Sequence, residues 1–198
     1  LINPYGLLFH EMTASSLVKV DQNGEVVEAG GLRRVNPAGF TIHSAVHMGR
    51  EDAGAVMHLH AADGVAVSAH RDGLLPLSQT AMLCLEHLSY HEYEGVALNL
   101  DERERLIRDL GSKSMMILRN HGILTVGRDV PETFTYLYFL MKACEIQVKA
   151  QSCGPVYMPT QQAIDTTADQ SGSLGKAAKL TWPALLRLLD ARSPGYNV

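Results

Sequence analysis

The 198-residue chain has few of the features that mark secreted, membrane-bound or nucleic-acid-binding proteins. Its three cysteines are widely spaced and include no Cys-x-x-Cys pair, which argues against a disulfide framework and a thiolate zinc site. No apolar run reaches the roughly 18 residues that span a bilayer. The formal net charge is -4 and no basic cluster is present. We therefore expect a cytoplasmic protein that binds neither membranes nor nucleic acid.

The length and the 46% hydrophobic content favour one domain with a single sizeable core, covering residues 1–198. The first residue is Leu1 rather than methionine, and the opening segment is typical of a strand that enters a turn. We expect that an N-terminal part of the domain is missing from this sequence. Residues 154–198 are predicted to form a flexible strap that ends in a helix at about 182–189.

Hydrophobic periodicity and turn residues predict alternating strands and helices between these ends. A hairpin is predicted over residues 17–27, and a helix is predicted to begin at Thr41. The later elements are predicted as strands at 55–60, 114–118 and 123–126 and as helices at 101–110 and 131–151. Residues 65–69 are compatible with either a short helix or a short strand.

Two histidines in Met-His-Leu-His lie in the predicted strand at 55–60. Because side chains on a strand alternate, His58 and His60 point to the same face and can share one metal ion. The competing interpretation is two polar residues on the solvent face of an edge strand, although the apolar run Ala55-Val56-Met57 favours burial. A third histidine, His121, lies in a predicted turn, from which a side chain can be directed into a cleft.

Several motifs resemble the class II aldolase/adducin head family, in its adducin-like branch. They comprise the runs at residues 11–21, 36–47, 90–95 and 143–147, together with His58-Leu59-His60 and Asn120-His121-Gly122. The resemblance implies an α/β fold, a three-layer α/β/α sandwich around a mixed, mostly antiparallel sheet. It also implies a homotetramer with its sites at subunit contacts.

In catalytic members of that family three histidines bind a divalent ion, and they correspond to His58, His60 and His121. The assignment of His121 rests on the resemblance and not on its spacing. Zinc is the first expectation for the ion, with manganese, nickel, cobalt or iron as alternatives. Such an ion polarises a carbonyl and stabilises an enediolate, which serves aldol cleavage, epimerisation, dehydration and decarboxylation alike.

This chain departs from the sugar-phosphate aldolases of the family at one element. They carry Pro-Ser-Ser-Glu, whose serines help to hold phosphate and whose glutamate is the acid/base, whereas this chain has Pro37-Ala38-Gly39. Gly39 stands at the position of the glutamate. We therefore expect a substrate without phosphate.

Other side chains must then take over the missing roles. Thr13, Ser15, Asn36 and Gly39 are the candidate substrate-binding residues. His43 and Glu11 are the candidate catalytic groups, although a core histidine and a surface glutamate are common outcomes for such residues. For His47, one helical turn beyond His43, a solvated position is favoured.

The sequence thus favours a metal-dependent lyase, an aldolase or a decarboxylase, that acts on a small hydroxy- or keto-acid. Two alternatives stay open. One is a non-catalytic scaffold or oligomerisation module of adducin type, and the other is a sugar-phosphate epimerase or dehydratase. The remaining acidic and aromatic cluster at residues 86–93 is predicted to be a strand and turn at a subunit contact.

Overall fold

A computed structural model describes residues 1–29 and 34–198 of the chain. The strands of the described residues are β1 (Val18–Val20), β2 (Val26–Ala29), β3 (Ala55–Leu59), β4 (Leu88–His91), β5 (Met115–Leu118) and β6 (Gly122–Gly127). The α-helices are α1 (Pro37–Gly49), α2 (Ala62–Ala69), α3 (Gln79–Leu85), α4 (Glu102–Leu110), α5 (Val130–Ser152), α6 (Gln161–Gln170) and α7 (Ala178–Arg192). None of the helices among the described residues is long and apolar enough to cross a membrane.

The main sheet has four strands in the order β3-β6-β5-β4, and β1 and β2 form a separate antiparallel pair. Strand β6 pairs antiparallel with both β3 and β5, whereas β4 pairs parallel with β5. The predicted mixed, mostly antiparallel sheet is confirmed. All six residues of β6 are buried, as expected for a central strand that is covered on both faces.

Successive side chains of the central strands point to opposite faces of the sheet, and on each face they form part of a hydrophobic core. Met115, Ile117 and Ile123 pack with residues of α2, α3 and α5. Met116 and Leu124 face the other way and pack with α1 and α4. Helices therefore cover both faces of the sheet, and the predicted three-layer α/β/α sandwich is confirmed.

The helix predicted from Thr41 begins four residues earlier, at Pro37. Asn36 caps it by accepting a hydrogen bond from the Ala38 backbone nitrogen at 3.1 Å, and proline is well suited to the first helical position. Apolar periodicity located the buried part of this helix but missed its first turn. The ambiguous segment at 65–69 belongs to helix α2.

The prediction that the segment between residue 154 and the terminal helix is a flexible strap is wrong, because helix α6 occupies Gln161–Gln170. No side chain of α6 is buried, so the segment lacks the apolar stripe that marks most helices. Local bonds support it instead: Thr160 caps its first turn, and the side-chain amide of Gln161 donates to Asp165 at 2.7 Å. The terminal helix α7 is also longer than predicted.

The environments of the three cysteines predict one reactive thiol in the folded protein. Cys84 and Cys144 are fully buried, and burial raises the pKa of each thiol to about 12, whereas Cys153 is exposed. Because the thiolate is the reactive form, Ellman's reagent at neutral pH should titrate one thiol in the native protein and three in denaturant. Rapid labelling of two or three native thiols would contradict this packing.

Candidate metal centre

Three histidines meet at one end of the pairing between β3 and β6. His58 lies in β3 and His60 follows it, while His121 lies in the turn just before β6. Because the two strands run antiparallel, with Leu59 opposite Ile123, the residues that follow β3 lie beside those that precede β6. The ring nitrogens that the three histidines can offer lie within 4.8 Å of one another.

The backbone of the Asn120-His121-Gly122 turn is shaped to allow this meeting. Asn120 has a φ of 54°, in the left-handed region that asparagine tolerates better than most residues. A Cβ atom on Gly122 would lie 2.5 Å from the carbonyl oxygen of Leu59 and 3.3 Å from the ring of His60. Only glycine therefore permits the close approach of the two backbones beside His60.

The spacing and orientation of the rings suit coordination of a single ion. The ring centroids are 4.6–4.8 Å apart, and the Nε2 atoms of His58 and His60 are 2.9 Å apart. Zinc–nitrogen bonds of about 2.0–2.1 Å at tetrahedral angles place two ligand nitrogens about 3.3 Å apart. The distances between the ligand nitrogens, from 2.9 Å between His58 and His60 to at most 4.8 Å, bracket that value. Small side-chain movements therefore suffice to close the three imidazoles on an ion.

The hydrogen bonding of His58 fixes which of its nitrogens is available. Its Nδ1 lies 2.9 Å from the carbonyl oxygen of Ile123, which can only accept, so Nδ1 carries the proton and donates. Nε2, which faces His60, therefore keeps its lone pair. A backbone carbonyl that holds a histidine in this way is a common support for a metal ligand.

Burial keeps His58 and His121 in the neutral form that binds metals. The pKa of His58 is lowered to about 3, first by desolvation on burial and then by His121. The pKa of His121 is also lowered, first by burial and then by His60. Neutral imidazole is the ligating form, so protons do not compete with an ion for these two histidines at neutral pH. The donor set thus fits a divalent transition-metal ion.

Two cavities adjoin the three histidines. The smaller, which we call the triad chamber, has a volume of about 370 Å³. The larger, which we call the apolar cavity, has a volume of about 660 Å³ and is lined mainly by aliphatic and aromatic side chains. Asn36, Gly39, His58 and His60 line both cavities and so form the border between them. His121 lines the triad chamber but not the apolar cavity.

Three of the other predicted site residues lie beside the histidines. Asn36 and Gly39 line both cavities, and His43 lines the apolar cavity. The pKa of His43 is lowered to about 4, chiefly by burial and then by His47, so its imidazole is neutral. His47 itself is exposed, with Nδ1 lying 3.0 Å from the carbonyl oxygen of Ala53, in agreement with the solvated position predicted for it.

The other three predicted site residues lie elsewhere. Glu11 is exposed, and its carboxylate accepts a hydrogen bond from the backbone nitrogen of Leu8 at 2.7 Å. The hydroxyls of Thr13 and Ser15 lie 3.2 Å from each other, and the backbone nitrogen of Ser15 donates to the carbonyl oxygen of Val198. Neither cavity is lined by Glu11, Thr13 or Ser15.

The structure adds Tyr93, which lines the triad chamber and was not predicted as a site residue. The sequence placed it in the strand and turn at 86–93, and β4 confirms the strand. The signal that could have found it is the parallel pairing of β4 with β5, because the carboxyl ends of parallel strands lie at the same edge of a sheet. Tyr93 follows one of these strands and His121 follows the other.

A sequence profile described as "Class II Aldolase and Adducin N-terminal domain" matches residues 1–148. The chain belongs to this family. It is 54% identical over 199 residues to the "Putative aldolase class 2 protein" of Caulobacter vibrioides, a match that covers 99% of this chain and 77% of that protein. It is 43% identical over 206 residues to alpha-adducin of Rattus norvegicus, a match that covers 96% of this chain and 28% of the adducin.

Among solved structures, the L-fuculose 1-phosphate aldolase from Glaciozyma antarctica superposes with a TM-score of 0.81 and 28% sequence identity. The superposition covers 99% of this chain and 76% of the aldolase. The likeness therefore extends over the helices and strands on both sides of the histidines. It includes the C-terminal helices that lie beyond residue 148.

Two glycines near the site make a matched pair of variants. Gly122→Ala should push the end of β3 away from the turn and weaken zinc binding at least tenfold, because the new methyl group would meet the Leu59 carbonyl and the His60 ring. Gly39→Ala should bind zinc as the wild type does, because its methyl group would lie 3.6 Å from Asn36, at ordinary contact distance. Calorimetric zinc titration measures both, and equal affinities for the two variants would disprove the tight contact at Gly122.

Proposed function

We propose that this protein is a metal-dependent carbon–carbon lyase that acts on a small, non-phosphorylated hydroxy- or keto-acid. The observation that carries the proposal is the convergence of His58, His60 and His121 beside two cavities. Three imidazoles leave at least one coordination position open, as in catalytic metal sites. Zinc is the ion proposed first, and manganese, nickel, cobalt and iron also suit a site of three histidines.

A divalent ion held by these histidines would act as a Lewis acid and would favour the enolate that aldol cleavage and decarboxylation both leave on the substrate. The chain itself prepares the site for that chemistry. The bond from His58 Nδ1 to the Ile123 carbonyl fixes the ring, and burial keeps His58 and His121 unprotonated. Asn36 and Gly39, at the border of the two cavities, are the proposed substrate contacts.

The lining of the two cavities supports a substrate without phosphate. None of the described residues that line either cavity is a lysine or an arginine. The run Pro37-Ala38-Gly39 also presents no hydroxyl, whereas the corresponding element of the sugar-phosphate aldolases of the family carries two serines. Phosphate recognition usually needs several such donors, whereas a carboxylate can be held by the ion itself together with one or two amides.

We assign the acid/base role to His43 rather than to a carboxylate. His43 is half-buried, neutral and at the wall of the apolar cavity, so its imidazole can accept a proton from a substrate or a water there. The roles of Glu11 as a second acid/base and of Thr13 and Ser15 as substrate ligands stay predictions.

The similarity to alpha-adducin supports a second candidate, a scaffold or oligomerisation module without catalysis. The observation that favours it is Gly39, because the family's acid/base carboxylate is absent there. We propose a homotetramer for either function, so the oligomeric state does not separate them. A third candidate, an enzyme of sugar phosphates, is supported by the likeness to the L-fuculose 1-phosphate aldolase.

Metal binding separates the lyase from the scaffold. His60→Ala should bind zinc or cobalt at least a hundredfold more weakly than the wild type, because one of three ligands is lost. His47→Ala is the matched control, since that exposed imidazole lies outside the triad and should leave the affinity unchanged. Metal content after purification without chelator and calorimetric titration give the two measurements. A wild-type protein that binds no divalent ion would exclude the lyase.

Enolisation of small carbonyl compounds tests the proposed reaction. The metal-loaded protein should exchange the hydrogens beside the carbonyl of pyruvate, hydroxypyruvate or dihydroxyacetone in D2O, as followed by proton NMR, and His60→Ala should abolish the exchange. This half-reaction is common to aldol cleavage and decarboxylation, because both pass through an enolate. Exchange confined to dihydroxyacetone phosphate would favour the sugar-phosphate candidate, and no exchange by the metal-loaded protein would favour the scaffold.

A further inference from the structure

We propose that the Tyr93 hydroxyl donates a hydrogen bond to the oxygens of the substrate in the triad chamber. The inference rests on the proposed function, because it assigns a further group to the same site. Tyr93 lines the chamber, and its ring centroid lies 6.4 Å from that of His121, with the ring planes at 78°. Its side chain is half exposed, and its hydroxyl forms no hydrogen bond with any residue that the structure describes.

The sheet explains why Tyr93 and His121 lie together although 28 positions separate them in sequence. Strands β4 and β5 are parallel, with His91 opposite Leu118 at their carboxyl ends. The backbone nitrogen of Arg119 donates to the carbonyl oxygen of His91 at 2.8 Å, which ties the two chain exits together. The segment after β4 therefore lies beside the turn that carries His121.

Helix α4 anchors that segment on both sides of Tyr93. Before it, Nδ1 of the buried His91 lies 2.7 Å from a carboxylate oxygen of Asp109. After it, Nε of Arg105 donates to the carboxylate of Glu94 at 2.6 Å. The position of Tyr93 is thus set by its neighbours, which leaves its own hydroxyl free for a ligand.

The polar groups of the chamber leave few other donors. The described residues that line the chamber include no serine and no threonine, and Tyr93 supplies their one hydroxyl. Ring nitrogens of the triad that ligate an ion cannot donate to a substrate, so the other side-chain donors of the chamber are the amide groups of Asn36 and Asn120. A hydroxyl that donates to an anionic oxygen forms one of the stronger hydrogen bonds, and it strengthens as negative charge develops.

Oxalate is a suitable probe because it is a planar dianion with two adjacent oxygens, like an enediolate. Wild type, Tyr93→Phe and the control Tyr157→Phe would each be loaded with cobalt, and cobalt and oxalate affinities measured by calorimetry and by the visible cobalt spectrum. Tyr157 is 89% exposed and lines neither cavity. We expect equal cobalt affinities in all three proteins and an oxalate affinity at least tenfold weaker in Tyr93→Phe alone.

The outcomes separate this inference from the proposed function. Failure of the wild type to bind cobalt would overturn both. Normal cobalt binding with equal oxalate affinity in wild type and Tyr93→Phe would overturn the role of Tyr93 alone, as would a wild-type protein that binds cobalt but no oxalate. Loss of cobalt binding in Tyr93→Phe would show that the ring supports His121 by packing, which also overturns the hydrogen-bond role.

Discussion

Strand β6 is buried along its whole length and pairs with β3 on one side and β5 on the other. Its side chains alternate between two cores, so a shift of one residue would move each of them to the wrong face. The register of β6 against β3 is therefore fixed by packing, with Leu59 opposite Ile123. That register alone decides that His60 meets His121, because the first lies just beyond β3 and the second just before β6.

The same packing brings three basic groups together, with His58 and His121 half-buried and His60 exposed. The three imidazole rings lie 4.6–4.8 Å apart, and burial lowers the pKa of His58 and of His121. An ion that binds only the folded chain would add its binding free energy to the stability of the fold.

The sequence predicts those parts of the site that depend on local geometry. The period of two along a strand was sufficient to put His58 and His60 on one face, and the apolar run before them indicated a buried strand. His121 and Tyr93 depend on pairings between strands far apart in the chain, which no spacing reveals. The polar helix α6 was missed because its support comes from a cap and from local side-chain bonds rather than from burial.

Packing does not explain why Gly39 is a glycine. A Cβ atom there would meet only Asn36, at ordinary contact distance, so neither backbone strain nor crowding excludes a larger residue. The position also borders both cavities together with His58 and His60. The difference from the sugar-phosphate aldolases is therefore chemical. Without a carboxylate at this position, the proposed reaction would draw its proton transfer and substrate contacts from uncharged groups at the cavity walls, and His43 and Tyr93 are two of those that line them.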